Sequence, residues 1–176
     1  MTSAGAPVWT AELTAVDAES TQALAARLGA VLRAGDLLVL SGELGAGKTT
    51  FTQGLGEGLG VRPGIISPTF VLVRIHPSLV GGPDLVHVDA YRLDSAEELD
   101  DIDLESTLPT SVTVVEWGRG KVEHLAESRL EVSLERAVGA DAGHALVLDF
   151  DDTGAEEPRT VRIAAYGPRW VDERDF

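Results

Sequence analysis

The chain has 176 residues, of which 44% are hydrophobic and 24% charged, and this composition is typical of a single globular domain. It contains no cysteine, which excludes disulfides, thiolate metal sites and cysteine catalysis. The formal net charge of −15 disfavours direct binding of nucleic acid over most of the surface. Residues 1–7 lack the segments of a signal peptide, and no apolar run approaches about 18 residues. We therefore expect a cytoplasmic protein that does not enter a membrane.

The first predicted elements lead to a glycine-rich loop. Residues 8–13 have the pattern of a short edge strand, and Asp17 or Ser20 can cap a helix that runs through Arg33. The apolar residues 37–40 then predict a buried strand, and residues 48–59 predict a helix that ends at Gly60.

The loop between that strand and that helix has the phosphate-binding pattern G-x-x-x-x-G-K-[ST]. Its glycines let successive backbone N–H groups point inward as an anion nest, and the helix adds the positive end of its dipole. The lysine can reach the β- and γ-phosphates of a nucleotide, and the threonine hydroxyl can hold Mg²⁺. The predicted nucleotide-binding residues are Glu43, Leu44, Gly45, Ala46, Gly47, Lys48, Thr49 and Thr50.

The middle of the chain is predicted to contain a loop, a hairpin and a second buried strand. Two prolines and a glycine predict a loop over residues 62–69, and β-branched stretches around a Gly-Gly-Pro-Asp turn predict a hairpin over residues 70–89. A capping box at residues 95–98 predicts a short helix. Residues 112–116 predict a buried strand that ends in an acid.

The remainder of the chain is predicted to be β structure. An alternating strand is expected over residues 129–136, a hairpin from residues 145–150 and 160–165 within about 144–166, and a mobile acidic tail over 168–176. Two buried strands that end near polar residues favour a parallel core, to which the hairpins add antiparallel strands. We therefore predict an α/β fold, a P-loop NTPase-like mixed sheet with few helices, in one domain over residues 1–167.

A nucleotide-bound Mg²⁺ needs a second protein ligand, and acids after buried strands are the candidates. Such acids are Asp89, Glu116 and Asp149. Asp149 lies beside Asp151 and Asp152, which favours a solvated acidic loop. Asp89 and Glu116 remain, and each is compatible with either a metal-site acid or an ordinary acid at a strand end.

Four motifs together resemble those of a known family. They are the loop at 42–50, Ser-Pro-Thr-Phe at 67–70, His-x-Asp-x-Tyr-Arg-Leu at 87–93 and Val-Glu-Trp at 115–117. In this order and spacing they resemble the bacterial TsaE ATPases, P-loop proteins required for N6-threonylcarbamoyladenosine (t6A) at position 37 of tRNA. The resemblance covers about residues 17–136. It implies a mixed sheet, ATP and Mg²⁺ as cofactors, and action on the threonylcarbamoyl-transfer heterodimer of TsaB and TsaD type proteins, with tRNA involved only indirectly.

The resemblance implies roles for single residues in catalysis and metal binding. Thr49 and Glu116 are implied as Mg²⁺ ligands. Asp89 is implied to position water or the metal shell. Lys48, Asp89 and Glu116 are therefore the predicted catalytic residues.

Other positions are implied to respond to the nucleotide. Thr69 is implied as a nucleotide-sensing switch, and Trp117 is implied to lie beside the nucleotide. Residues 118–120 depart from what many relatives carry, so the resemblance assigns them no role. His87, inside an alternating strand, fits a structural role better than a catalytic one.

Several functions are compatible with a phosphate-binding loop. The leading prediction is an ATPase that is slow alone and accelerated by partners, because the sequence offers no evident internal arginine finger. A small-molecule kinase is the alternative, with Arg62, Arg74 and Arg92 available but no arginine-rich helical lid. A GTPase is disfavoured because the chain contains no Asn for the guanine-reading Asn-Lys-x-Asp pattern. A nucleotide-gated adaptor differs from the ATPase only in whether turnover matters.

Overall fold

The computed structural model describes residues 5–43, 45–66, 68, 72–91, 93, 102–136 and 158–174. In this part of the chain, seven strands form one sheet and three segments are α-helical. The helices are α1 (Ala18–Gly29), α2 (Lys48–Leu59) and α3 (Leu104–Thr107). The strands are β1 (Trp9–Ala15), β2 (Leu37–Gly42), β3 (Val73–His76), β4 (Asp84–Asp89), β5 (Ser111–Glu116), β6 (Arg129–Arg136) and β7 (Arg159–Tyr166).

The sheet is mixed, with a parallel centre and antiparallel edges. The strand order is β1-β7-β6-β2-β5-β4-β3. β2 runs parallel to both β5 and β6, and β4 runs parallel to β5. β3 is antiparallel to β4, and β7 is antiparallel to β6 and β1. The predicted fold class, the edge strand near the N-terminus and the hairpin of β3 with β4 are therefore confirmed.

β6 corrects one part of the prediction. The sequence suggested that the C-terminal strands add to the sheet in antiparallel fashion, but β6 pairs parallel with β2 from Leu38↔Leu130 to Gly42↔Leu134. The alternating pattern of a strand reports burial on its faces and carries no information on the direction of its neighbour. The phosphate loop therefore lies between two parallel neighbours of β2.

Two apolar layers cover the sheet. Helices α1 and α2 pack on one face, where Leu38 and Leu40 of β2 meet Phe51 and Leu55 of α2. The opposite face carries a smaller core that includes Leu37 and Val39. β2 is thus buried on both faces, as a central parallel strand should be.

Helix α2 and the end of α1 differ in how well local signals predicted them. Helix α2 has the predicted bounds, and Gly60 ends it with a left-handed φ of 80°. Asp17 caps α1 by accepting a hydrogen bond from the Ser20 N–H, but α1 ends at Gly29 and not at Arg33. The turn after Gly29 is stabilised by Asp36, whose carboxylate accepts a hydrogen bond from the Arg33 N–H at 2.7 Å.

The start of the C-terminal segment, where the sequence predicted a mobile tail from residue 168, packs against the core. Pro168–Trp170 forms a 3-10 helix, and Trp170 is only 1% exposed within the main core. The Arg169 guanidinium pairs with the buried carboxylate of Asp36 at 3.1 Å. Apolar burial and this ion pair hold the segment against the turn after α1.

Some predicted elements lie outside the described residues. These are the capping box at 95–98 and residues 145–150, the predicted hairpin partner of β7. Within the described chain, both edges of β7 are occupied, by β6 on one side and by β1 on the other. No helix in the described residues is long and apolar enough to cross a membrane.

Candidate nucleotide-binding site

The glycine-rich loop joins the end of β2 to the first turn of α2. Gly45 and Gly47 have left-handed φ values of 81° and 103°, which residues other than glycine rarely adopt. Gly47 is the N-cap of α2 and offers no side-chain acceptor, and the first turn of α2 holds no acidic residue. The positive end of α2 is therefore not neutralised by its own sequence, which suits an anion such as phosphate.

The Lys48 ammonium group lies inside this loop. Its Nζ atom donates to the carbonyl oxygen of Gly42 at 2.5 Å and to that of Glu43 at 3.2 Å. The same Nζ atom lies 4.5 Å from the centre of the Trp117 ring. Burial lowers the pKa of Lys48, and the charges of Glu116 and Asp89 partly oppose that shift.

The two candidate acids occupy equivalent positions at the carboxyl ends of neighbouring parallel strands. Asp89 is paired with Glu116 in the register of β4 and β5, and Leu40, just before the loop, is paired with Glu116 in the register of β2 and β5. Asp89 lies four residues after Leu85, and Glu116 lies two residues after Val114, and both of these apolar residues belong to the helix-covered core. Since every second residue of a strand faces the same side, the two acids lie on the face of the sheet that carries α2. Lys48, Asp89 and Glu116 are thus brought together from three elements.

Glu116 has a buried hydrogen-bond partner, His87, and the sequence did not predict this contact. Nε2 of His87 lies 2.7 Å from Oε2 of Glu116, and the His87 side chain is 0% exposed. When Glu116 is ionised, its carboxylate accepts this hydrogen bond from the Nε2–H group of His87. Among the described residues, Nδ1 of His87 has no hydrogen-bond partner. His87 therefore orients the Glu116 carboxylate.

Asp89 is held by the backbone that follows it. Its carboxylate accepts a hydrogen bond from the Tyr91 N–H at 2.9 Å. The next carbonyl group, that of Ala90, accepts a hydrogen bond from Nζ of Lys121 at 2.8 Å. Lys121 therefore stabilises the turn that carries Asp89, a contact that no local sequence pattern indicates.

Two aromatic side chains line the mouth of the site. Trp117 directly follows Glu116, has a φ of 61°, which is uncommon outside glycine, and is 36% exposed. The Tyr91 ring meets it edge-on with ring centres 5.2 Å apart. These rings place an exposed apolar surface beside Lys48.

The loop also receives a side chain from the far end of the sequence. Arg159, at the start of β7, donates to the carbonyl oxygen of Ala46 at 3.0 Å through Nε and to that of Gly45 at 3.4 Å through Nη2. Sequence analysis missed this residue because it lies more than a hundred positions from the loop and belongs to no motif.

The other predicted residues divide into those near the loop and those outside the described chain. Thr49 and Thr50 are half-buried in the first turn of α2. Leu44, Thr69 and Arg92 lie outside the described residues. Within the described residues, no group of three or more His, Asp or Glu side chains could hold a metal ion without other ligands.

A parallel-centred sheet, a glycine loop at the end of its central strand and a lysine at the head of the next helix define a P-loop-like α/β protein. The family model of the threonylcarbamoyl adenosine biosynthesis protein TsaE matches residues 15–142. The chain belongs to the TsaE family, which takes part in making threonylcarbamoyladenosine in tRNA.

Individual relatives agree with this assignment. The chain is 57% identical to a tRNA threonylcarbamoyladenosine biosynthesis protein TsaE of Streptomyces coelicolor over 84% of this chain and 92% of the relative. It is 48% identical to the protein of the same name from Mycobacterium leprae, over 89% of each chain. Among solved structures, Bacillus subtilis YdiB matches with a TM-score of 0.65 and 28% identity, over 92% of this chain and 89% of that one.

Proposed function

We propose that this protein is a Mg²⁺-dependent ATPase of t6A biosynthesis that acts on a threonylcarbamoyl-transfer heterodimer of TsaB and TsaD type proteins. The observation that carries the proposal is the position of Lys48. Its ammonium group lies in a glycine loop at an uncapped helix N-terminus, next to Asp89 and Glu116. This is the arrangement that binds and hydrolyses a nucleoside triphosphate in P-loop proteins.

The loop fits the phosphates of ATP. The Lys48 ammonium group donates hydrogen bonds to the carbonyl oxygens of Gly42 and Glu43. Phosphate oxygens would be stronger acceptors for the same donor, because both partners would then be charged. The N–H groups at the start of α2, with no acidic side chain to neutralise them, add further donors for the phosphates.

The residues at the strand ends also fit Mg²⁺. Thr49 and Glu116 would hold it, with phosphate oxygens completing the coordination, as is usual for magnesium at nucleotide sites. When bound, Mg²⁺ would supply positive charge to the phosphates as they react. His87 keeps the Glu116 carboxylate in one orientation through the 2.7 Å hydrogen bond. Asp89, held by the Tyr91 N–H, would orient the attacking water.

Action on a partner complex is supported by the surface around the site. Tyr91 and Trp117 expose apolar rings at its mouth, where a protein partner would exclude water from the reacting phosphates. The net charge of −15 disfavours binding of tRNA by this chain alone. We therefore assign the recognition of tRNA to the partners, and we expect slow hydrolysis by the isolated protein.

The test measures binding of Mg·ATP and release of inorganic phosphate, with and without the TsaB and TsaD type partners. Wild type should bind ATP in preference to GTP and turn over faster with the partners. Lys48→Ala should lose tight binding of ATP while unfolding at a similar denaturant concentration. Arg162→Ala is the control, since Arg162 is an exposed residue paired with Glu12 and Glu135. Unchanged ATP affinity in Lys48→Ala would contradict the assignment of the loop.

A further inference from the structure

Arg159 connects the C-terminal strand β7 to the phosphate loop. It lies outside residues 15–142, the part of the chain that the family model matches. The residue is only 8% exposed, although arginine is seldom buried without partners. Its Nε and Nη2 atoms donate to the carbonyl oxygens of Ala46 and Gly45, so one planar fork contacts two consecutive peptide groups.

These contacts determine where the N–H groups of the same peptides point. In a planar trans peptide, the carbonyl of one residue and the N–H of the next point in opposite directions. Because the carbonyl of Ala46 is directed towards Arg159, the N–H of Gly47 is directed away from it. The same reasoning applies to the Gly45 carbonyl and the Ala46 N–H, which donates to the carbonyl of Glu43 within the loop at 3.0 Å.

The loop needs such an external constraint. Gly45 and Gly47 adopt left-handed conformations, and glycine loses more conformational freedom on ordering than any other residue. Gly45 is exposed at the surface, so packing does little to hold it. Hydrogen bonds from a buried arginine therefore supply order that the loop sequence lacks.

The charge arrangement supports a role at an anion site. Arg136 lies directly opposite Arg159 in the register of β6 and β7. Nη1 of Arg136 lies 3.9 Å from where a Cβ atom on Gly45 would be. Two guanidinium groups are thus placed beside the loop of a chain whose net charge is −15.

We propose that Arg159 is a positioning residue for nucleotide binding, which keeps the Gly47 N–H turned away from Arg159 and available to a phosphate, and which holds the turn closed by the Ala46 N–H, before the nucleotide arrives. This inference rests on the proposed nucleotide-binding function. It predicts a role for both the charge and the fork shape of the side chain, because a lysine would retain the charge but could not reproduce two parallel donors in one plane.

The experiment measures Mg·ADP binding by calorimetry and ATP hydrolysis on the full chain. Arg159→Gln and Arg159→Lys should each weaken ADP binding by about tenfold or more, the loss expected for charge-assisted hydrogen bonds. Since the loop contacts the phosphates before and during the reaction, KM should rise while kcat changes by less than about threefold. Arg162→Ala, on the same strand and exposed, should bind ADP as wild type does.

Two results would overturn the inference while leaving the proposed function intact. The first is that Arg159→Gln binds ADP with wild-type affinity. The second is that Arg159→Lys binds ADP with wild-type affinity, which would mean that only the charge of the side chain matters. Failure of the wild-type protein to bind ADP would instead refute the proposed function. If Arg159→Gln does not fold, NMR of the wild-type protein tests the contact directly, because an Nε–H of Arg159 that is bonded to the Ala46 carbonyl should exchange slowly with solvent. Rapid exchange of that proton would exclude the hydrogen bond to Ala46.

Discussion

Replacing Glu116 by glutamine and by alanine would separate its hydrogen bond with His87 from its proposed role in ATP hydrolysis. Glutamine has nearly the same shape, and its amide oxygen can still accept the hydrogen bond from Nε2 of His87. The bond to a charged acceptor becomes a bond to a neutral one, which lowers the free energy of unfolding by about 1 kcal/mol. Alanine leaves the fully buried His87 ring without this partner, and the unsatisfied group adds about 1–3 kcal/mol of destabilisation.

The effects on activity should follow a different order. Both variants remove the carboxylate charge, so both should lower partner-stimulated ATP hydrolysis by about 100-fold or more, the scale of losing one electrostatic group from a reacting centre. Nucleotide affinity should fall much less, because in the proposed site the loop and Lys48 would supply most of the contacts to the phosphates. The assays are urea unfolding, calorimetry with Mg·ATP and phosphate release, with Glu12→Gln on the exposed edge strand as the control.

The outcome depends on the difference between the two variants. If Glu116→Gln hydrolyses ATP at the wild-type rate with partners present, the charge of Glu116 has no part in the reaction. If Glu116→Ala is as stable as Glu116→Gln, the hydrogen bond from His87 contributes nothing measurable to the fold.

Four further predictions concern other parts of the molecule. Asp89→Asn should lower ATP hydrolysis more than ATP binding, and equal losses in both would assign Asp89 to binding alone. Trp170→Ala should destabilise the fold by about 3–5 kcal/mol in urea unfolding, because the side chain is 1% exposed, whereas Val171→Ala, at a 45% exposed position, should cost little. Burial lowers the pKa of Lys48, and bound phosphates would raise it again. Nucleotide binding should therefore take up protons, and nucleotide affinity should fall, as the pH rises through that lowered pKa. Calorimetry in buffers of different ionisation enthalpy measures this proton uptake, and its absence would contradict the prediction. The isolated protein should bind tRNA only weakly at about 0.15 M salt, and submicromolar affinity would show that it recognises the RNA itself.

Local signals predicted the elements that surround the loop. The motif from Gly42 to Thr49 has fixed spacing, and the left-handed Gly60 ends α2 where the sequence placed its end. Asp17 caps α1 through a contact only three residues away. The membership of the TsaE family and the mixed sheet are confirmed by the comparisons and the topology. The assignments of Lys48, Asp89, Glu116 and Thr49 to ATP and Mg²⁺ remain predictions.

The sequence alone therefore determined the phosphate-loop motif, the helix that follows it and the buried strands, because each depends on residues close together in the chain. Only the tertiary structure placed β6 parallel to β2, paired His87 with Glu116, buried Trp170 and brought Arg159 to the carbonyls of Gly45 and Ala46. The hydrogen bond from Arg159 to the Gly45 carbonyl, for example, joins residues 114 positions apart. Hydrophobic periodicity shows which face of a strand is buried, but the path of the whole chain decides which strands lie beside it and which elements cover that face.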